Sequence, residues 1–291
     1  MAKTDSWHIG VIGGTGLYDA DILDDAQEIA VNSPFGEPSG PVTMGTISDI
    51  RFSFLPRHGK GHRISPDAIN YRANVDVLKR CGVTDIVSIS AIGSLREEFA
   101  PGDFVVVDQL IDRTQGRERS FFGDGLVAHV SLADPTCKRL CALVAKAAQE
   151  TGTGIHKSGC YVAIEGPQFS TRAESRLYRE WGADVIGMTA LPEARLAREA
   201  ELPYALLAMV TDYDSWRTGE EAAGVEEILK VLHANSDHAR STLVALAKFL
   251  PKTRKPSPHD TALDGAIVTA PGVRDPEMAL KLQAIAGRVL D

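Results

Sequence analysis

A single α/β domain is the fold class the sequence predicts, and two observations predict it. Short apolar runs alternate with amphipathic stretches from Trp7 to Phe249, and no linker-like break occurs before Leu250. One of those runs, Tyr204-Ala205-Leu206-Leu207-Ala208-Met209-Val210, is apolar throughout and stops at Thr211-Asp212-Tyr213-Asp214-Ser215-Trp216. An unalternating run of that length reads as a strand buried on both faces, as in the middle of a parallel sheet.

The elements follow in chain order. Residues 7–12 form a short strand that runs into Gly13-Gly14-Thr15-Gly16, where glycines can take backbone angles other residues avoid and expose amides to an anion. A dinucleotide fingerprint would need glycine where Asp19 stands, and no P-loop pattern occurs. Residues 42–55 read as two strands joined at Ser48-Asp49, the second delivering the chain to Pro56-Arg57-His58-Gly59. Ser65-Pro66-Asp67 predicts a helix start, with Ile69, Ala73, Val77, Leu78 and Cys81 as its apolar stripe and Gly82 as its end. Strands are expected at 84–89, 104–107, 159–164 and 185–188, the first ending at Ser90-Ala91-Ile92-Gly93-Ser94. Asp134-Pro135 and Pro192-Glu193 open helices, and Thr171 with Glu174 makes a capping box for a third that ends at Gly182. A long amphipathic helix is expected over 225–249. The chain then changes character: 251–260 is basic and proline-rich, the composition of an extended connector. Beyond it, 278–290 allows one short helix that packs on a neighbouring subunit or stays mobile. Residues 1–250 are accordingly expected to be the catalytic domain and 251–291 a C-terminal extension.

Composition narrows the function. With 291 residues, 44% hydrophobic and 24% charged, the chain is an ordinary soluble globular protein with a substantial core. A net charge of −8 argues against a surface made for nucleic acid or an anionic membrane. The start has no apolar signal-peptide core and the chain has no run of 18 apolar residues, so a cytoplasmic location is expected. Cys81, Cys137, Cys141 and Cys160 lack metal-ligand or disulfide-framework spacing, and no metal site is expected.

The candidate chemistry sits just past the strands. In open α/β sheets, ligands bind beyond the carboxyl ends of the strands, which is where Asp212 and Asp214 fall. Two carboxyls on one side of a low-dielectric crevice cannot both ionise cheaply, so one should keep a proton, setting a donor beside an acceptor. Adenine offers the complement, an acceptor at N7 and an amino group at N6. Alone, the two aspartates also fit a turn or helix cap. Arg57 and His58 offer a guanidinium and a switchable donor, although a solvated basic loop would look the same. Gly14-Thr15-Gly16, Ser90-Ala91 and Met188-Thr189 add hydroxyls and amides. Together they make the inventory for a buried phosphate dianion.

Gly13-Gly14-Thr15-Gly16-Leu17, Pro56-Arg57-His58-Gly59, Asn70-Tyr71-Arg72-Ala73-Asn74, Gly93-Ser94-Leu95-Arg96-Glu97-Glu98, Ile164-Glu165-Gly166-Pro167, Gly187-Met188-Thr189 and Thr211-Asp212-Tyr213-Asp214 carry a resemblance. In that order they resemble the 5′-methylthioadenosine phosphorylases, the trimeric branch of the purine nucleoside phosphorylase superfamily. The resemblance implies a twisted mixed β-sheet flanked by helices. It also implies phosphate-dependent cleavage of S-methyl-5′-thioadenosine to adenine and 5-methylthioribose 1-phosphate, a pentosyl transfer in methionine and purine salvage. No metal or organic cofactor is implied, inorganic phosphate being a co-substrate. A homotrimer, or a hexamer made as a dimer of trimers, is expected, with sites near subunit interfaces. The resemblance puts phosphate on Thr15, Arg57, His58, Ser90, Ala91 and Thr189, the ribose on Met188, and the base on Phe169, Ser170, Asp212 and Asp214. Val225 and Ile228 match apolar positions beside the 5′ substituent, Ser170 and Val225 bear on specificity, and His129 matches a histidine lent by the neighbouring subunit. The tail after Pro251 does not match. A 6-oxopurine (methylthioinosine) phosphorylase should carry an amide where Asp212 stands, and a phosphate-independent nucleosidase would have no need for the anion inventory. Side activity on 5′-deoxyadenosine and adenosine is expected, because one hydrophobic pocket discriminates modestly.

Overall fold

The structure is a computed structural model that describes residues 5–14, 22–217 and 224–290; the side chain of Val225 lies outside the described atoms. The apolar run becomes β11 (Tyr204–Tyr213), buried from Tyr204 through Thr211. Its alternate side chains serve two cores. Leu206, Ala208 and Val210 join one hydrophobic cluster, while Ala205, Leu207 and Met209 join the other. Helices cover both sheet faces, which is why the run does not alternate. The first cluster takes residues from α1 (Tyr71–Arg80) and α4 (Ala190–Glu199), the second from α2 (Lys138–Gln149) and α5 (Val225–Phe249). Truncating a core residue such as Leu207 to alanine should cost about 2–5 kcal/mol.

β11 lies parallel to β5 (Asp85–Ser94) and antiparallel to β6 (Phe104–Val107), which is extended by β8 (Ile155–His156). On its other side β5 pairs in parallel with β1 (His8–Gly13), and at Gly93 and Ser94 it pairs antiparallel with β10 (Val185–Gly187). The sheet therefore forks at β5. One arm continues through β4 (Ile50–Pro56), β3 (Val42–Ile47) and β2 (Asp24–Ile29); the other continues through β9 (Cys160–Ile164) and β7 (Gln109–Arg113). It is the mixed sheet flanked by helices that the resemblance implied.

Local departures have local causes. Pro66–Ala68 is a single 3-10 turn; Ile69 is extended, and α1 starts at Tyr71, where the Asn70 side chain accepts from the Ala73 amide at 3.0 Å. α2 starts at Lys138, past Asp134-Pro135. β2 and β7 had no signal: β2 is an edge strand exposed at every position, so it shows no apolar pattern. The capping box at Thr171 and Glu174 forms at the start of α3 (Arg172–Glu180).

The segment expected to be an extended connector is instead tied to the body. Arg254 donates to Asp85 and Asp260, the latter at 2.7 Å, and Asp85 also receives Arg139. Both guanidiniums lie over the Trp7 ring. The last stretch folds as α6 (Pro276–Lys281) and α7 (Gln283–Leu290), and Leu282, Ile285 and Ala286 enter the same core cluster as α1. Of the two carboxylates that hold Arg254, Asp85 lies 169 positions away in the sequence, a distance no local pattern shows. Among the described residues no helix is long and apolar enough to cross a membrane. None of the four cysteines forms a disulfide.

Candidate active site

The carboxyl ends of β1, β4, β5, β9, β10 and β11 surround a cavity of about 450 Å³, closed on one side by α5. Gly14, Arg57, His58, Ser90, Ala91, Met188, Thr189, Phe169, Ser170, Asp212, Asp214 and Ile228 all line it. Thr15 and the Val225 side chain lie outside the described residues. His129 is exposed and does not line the cavity of its own chain.

One end is built on Arg57, which is 1% exposed. Its Nε donates to Glu193 Oε2 at 2.8 Å; Nη2 donates to Glu193 Oε1, Ser88 Oγ and Ile12 O; Nη1 donates to Ile89 O at 3.0 Å. Among the described residues one Nη1 hydrogen meets no acceptor. Burial works against the charge, but Glu193 more than offsets it and holds the guanidinium ionised. Glu193 is itself saturated, accepting also from Ser88 Oγ at 2.6 Å and Tyr204 Oη at 2.9 Å. Next to this pair, His58 Nδ1 is 2.9 Å from Ile64 O and its ring stacks on His62 with centroids 4.1 Å apart. Burial, then the charge of Arg57, push the His58 pKa down to about 3. Ser90 Oγ and Thr189 Oγ1 stand 3.2 Å apart, and the Thr189 amide donates to Tyr161 Oη.

The other end is acidic. β11 bulges between Val210 and Asp212, which pair with Ile92 and Gly93, so Thr211 is the extra residue. Its hydroxyl lies 2.7 Å from Asp212 Oδ1 and 3.1 Å from Ile92 O. Asp214 Oδ2 accepts from Ser170 Oγ at 2.6 Å. The Asp212 pKa is raised to about 6, chiefly by burial and less by Asp214, with the Thr211 bond opposing. The sequence argument put the like charge first; burial is the larger cause. Gly93 makes the room: a Cβ there would stand 3.4 Å from both Asp212 Oδ2 and Asp214 Cβ, and 3.1 Å from Ile186 Cγ2.

Between the ends, Met188 sits under the Gly166 turn, and Ile228, Leu229 and Leu232 of α5 make an apolar wall. Phe169 stands 58% exposed at the rim. Sequence reasoning missed Glu193, reading it only as a helix start. An acid in the otherwise apolar run Leu191-Pro192-Glu193-Ala194 was the available signal, as was Ser88 inside an apolar strand.

Residues 8–248 match the family model described as the phosphorylase superfamily. The chain belongs to the phosphorylase superfamily. Among members of this superfamily, the S-methyl-5′-thioadenosine phosphorylase of Cereibacter sphaeroides is 56% identical over 97% of this chain and 98% of its own length. The crystal structure of a methylthioadenosine phosphorylase from an antarctic soil metagenomic library superposes with a TM-score of 0.89 at 42% identity, covering 97% of this chain and 99% of that one. The Schistosoma mansoni methylthioadenosine phosphorylase in complex with tubercidin gives 0.78 at 38% identity, over 84% and 91% of the two chains. Relatives in this superfamily thus align through the tail as well, correcting the expectation that the likeness stops near Pro251.

Proposed function

We propose that this enzyme cleaves S-methyl-5′-thioadenosine with inorganic phosphate, giving adenine and 5-methylthioribose 1-phosphate. The observation that carries this reading is that one cavity joins the Asp212 and Asp214 pair to the Arg57, Ser90 and Thr189 cluster. The glycosidic bond breaks through an oxocarbenium-like transition state. Phosphate held by Thr15, the spare Arg57 N–H, Ser90 and Thr189 opposes the sugar's growing positive charge and then attacks the anomeric carbon. Asp212, the carboxyl that burial keeps protonated to higher pH, donates to N7 of the departing adenine. Asp214, positioned by Ser170, accepts from N6. This reading calls for no metal or organic cofactor, inorganic phosphate being the co-substrate.

The apolar wall of Ile228, Leu229 and Leu232 favours a methylthio group over a hydroxyl. The enzyme works in the cytoplasm as a homotrimer, or a hexamer of two trimers, in which a neighbouring copy brings its His129 to the 5′ pocket. The exposure of His129 and of Leu177, Trp181 and Leu280 supports such contacts. The test is adenine release from methylthioadenosine with and without phosphate. Phosphate-dependent release is expected; release independent of phosphate would establish a nucleosidase instead.

A further inference from the structure

We infer that the anion end reads a proton on its ligand: His58 Nε2 accepts a hydrogen bond from the hydroxyl of hydrogen phosphate, so the pocket discriminates against sulfate, which has no hydrogen to give. The inference rests on the phosphorolytic reading and deepens it. A carbonyl oxygen can only accept, so the 2.9 Å contact between His58 Nδ1 and Ile64 O places a hydrogen on Nδ1. In a neutral imidazole the other nitrogen then carries a lone pair. The surroundings keep the ring neutral: it is 6% exposed, follows the buried Arg57 in the chain and stacks on a second imidazole, His62. The low His58 pKa agrees. Nε2 meets no hydrogen-bond partner among the described residues, and the residue lines the cavity. An acceptor residue thus shares the lining of the cavity with the donors Arg57, Ser90 and Thr189.

The second observation is charge. Glu193 already matches the Arg57 guanidinium through two contacts, so this end of the cavity offers donors without surplus positive charge. A site with a large excess of cations would bind any dianion. Here the pattern of donors and acceptors decides, and sulfate would set an oxygen lone pair against the nitrogen lone pair. Phosphate and arsenate near neutral pH both keep at least one hydroxyl. Sulfate keeps none.

The measurement is the competitive inhibition constant of sulfate against phosphate, with the KM of phosphate and of arsenate, in the wild-type enzyme and in His58→Gln. Glutamine offers a donor as well as an acceptor. The wild type is expected to bind phosphate and arsenate within a few-fold of each other and sulfate at least tenfold more weakly, about the effect of one hydrogen bond. In His58→Gln the gap should shrink several-fold, mainly through tighter sulfate binding. Titration calorimetry of the wild type with phosphate and with sulfate gives the same ratio without relying on the variant. Equal binding of the two anions by the wild type overturns the inference. So does a variant that loses both equally, the mark of a merely structural histidine. Phosphate-independent adenine release would instead overturn the functional reading, so the two failures are distinguishable.

Discussion

The two ends of the cavity are both buried and both built from charged residues, yet they solve opposite problems. At the anion end, the guanidinium of Arg57 is met by Glu193 and three further acceptors before any ligand arrives. At the base end, Asp212 and Asp214 face one cavity, and a hydroxyl is the only described hydrogen-bond partner of each side chain. A buried charge that is fully paired stays ionised and rigid; one that is unpaired moves its pKa until a proton joins it. The first arrangement is suited to holding a ligand, the second to moving a proton.

Predictions follow this contrast from the largest effect to the smallest. Asp212→Asn should lower kcat/KM for methylthioadenosine on the order of 10²–10⁴-fold, the usual worth of general-acid help, with the phosphate KM little changed. An unaltered rate would remove Asp212 from proton donation. Glu193→Gln should strand a buried cation and cost about 3–5 kcal/mol of stability, seen as a lowered melting temperature. Added phosphate should restore more of the loss there than it adds to the wild type, because the anion supplies the missing charge. Ser170→Ala should reduce kcat/KM by about tenfold, near the lower end of what a bond to a charged acceptor contributes, with the melting temperature nearly unchanged.

The smallest effect concerns pH. With the Asp212 pKa near 6, the protonated acid dominates below that pH and is lost above it, so kcat/KM should fall as pH rises through about 6. Asp214 raises this pKa less than burial does, so Asp214→Asn should shift the limb to lower pH only modestly. A large shift would make the like charge the dominant cause after all.

The sequence made the base end more legible than the anion end. Asp212 and Asp214 stand where an apolar strand stops, and that pattern announces their place. Arg57 was legible as a cation beside a glycine, but the carboxylate that neutralises it comes from α4, 136 positions away, and no local pattern encodes that distance. β11 and α5 were legible because each buries a periodic or continuous apolar set. β2 was not, since an exposed edge strand buries nothing. The bulge at Thr211 was also hidden, for it arises from pairing with β5 rather than from the residues of β11 alone.

β5 joins two distant parts of the molecule. Gly93, near its far end, leaves space for the acid pair, while Asp85, which begins it, is fully buried and gripped by Arg139 and by Arg254 from the tail. Deleting everything after Pro251 would strip one of those cations away and leave Arg139 as the remaining one of the two against a buried carboxylate at the root of the strand that carries the reaction chamber. What composition presents as a dispensable appendix is a fastening, and trimming it to ease crystallisation or expression would loosen the enzyme from behind.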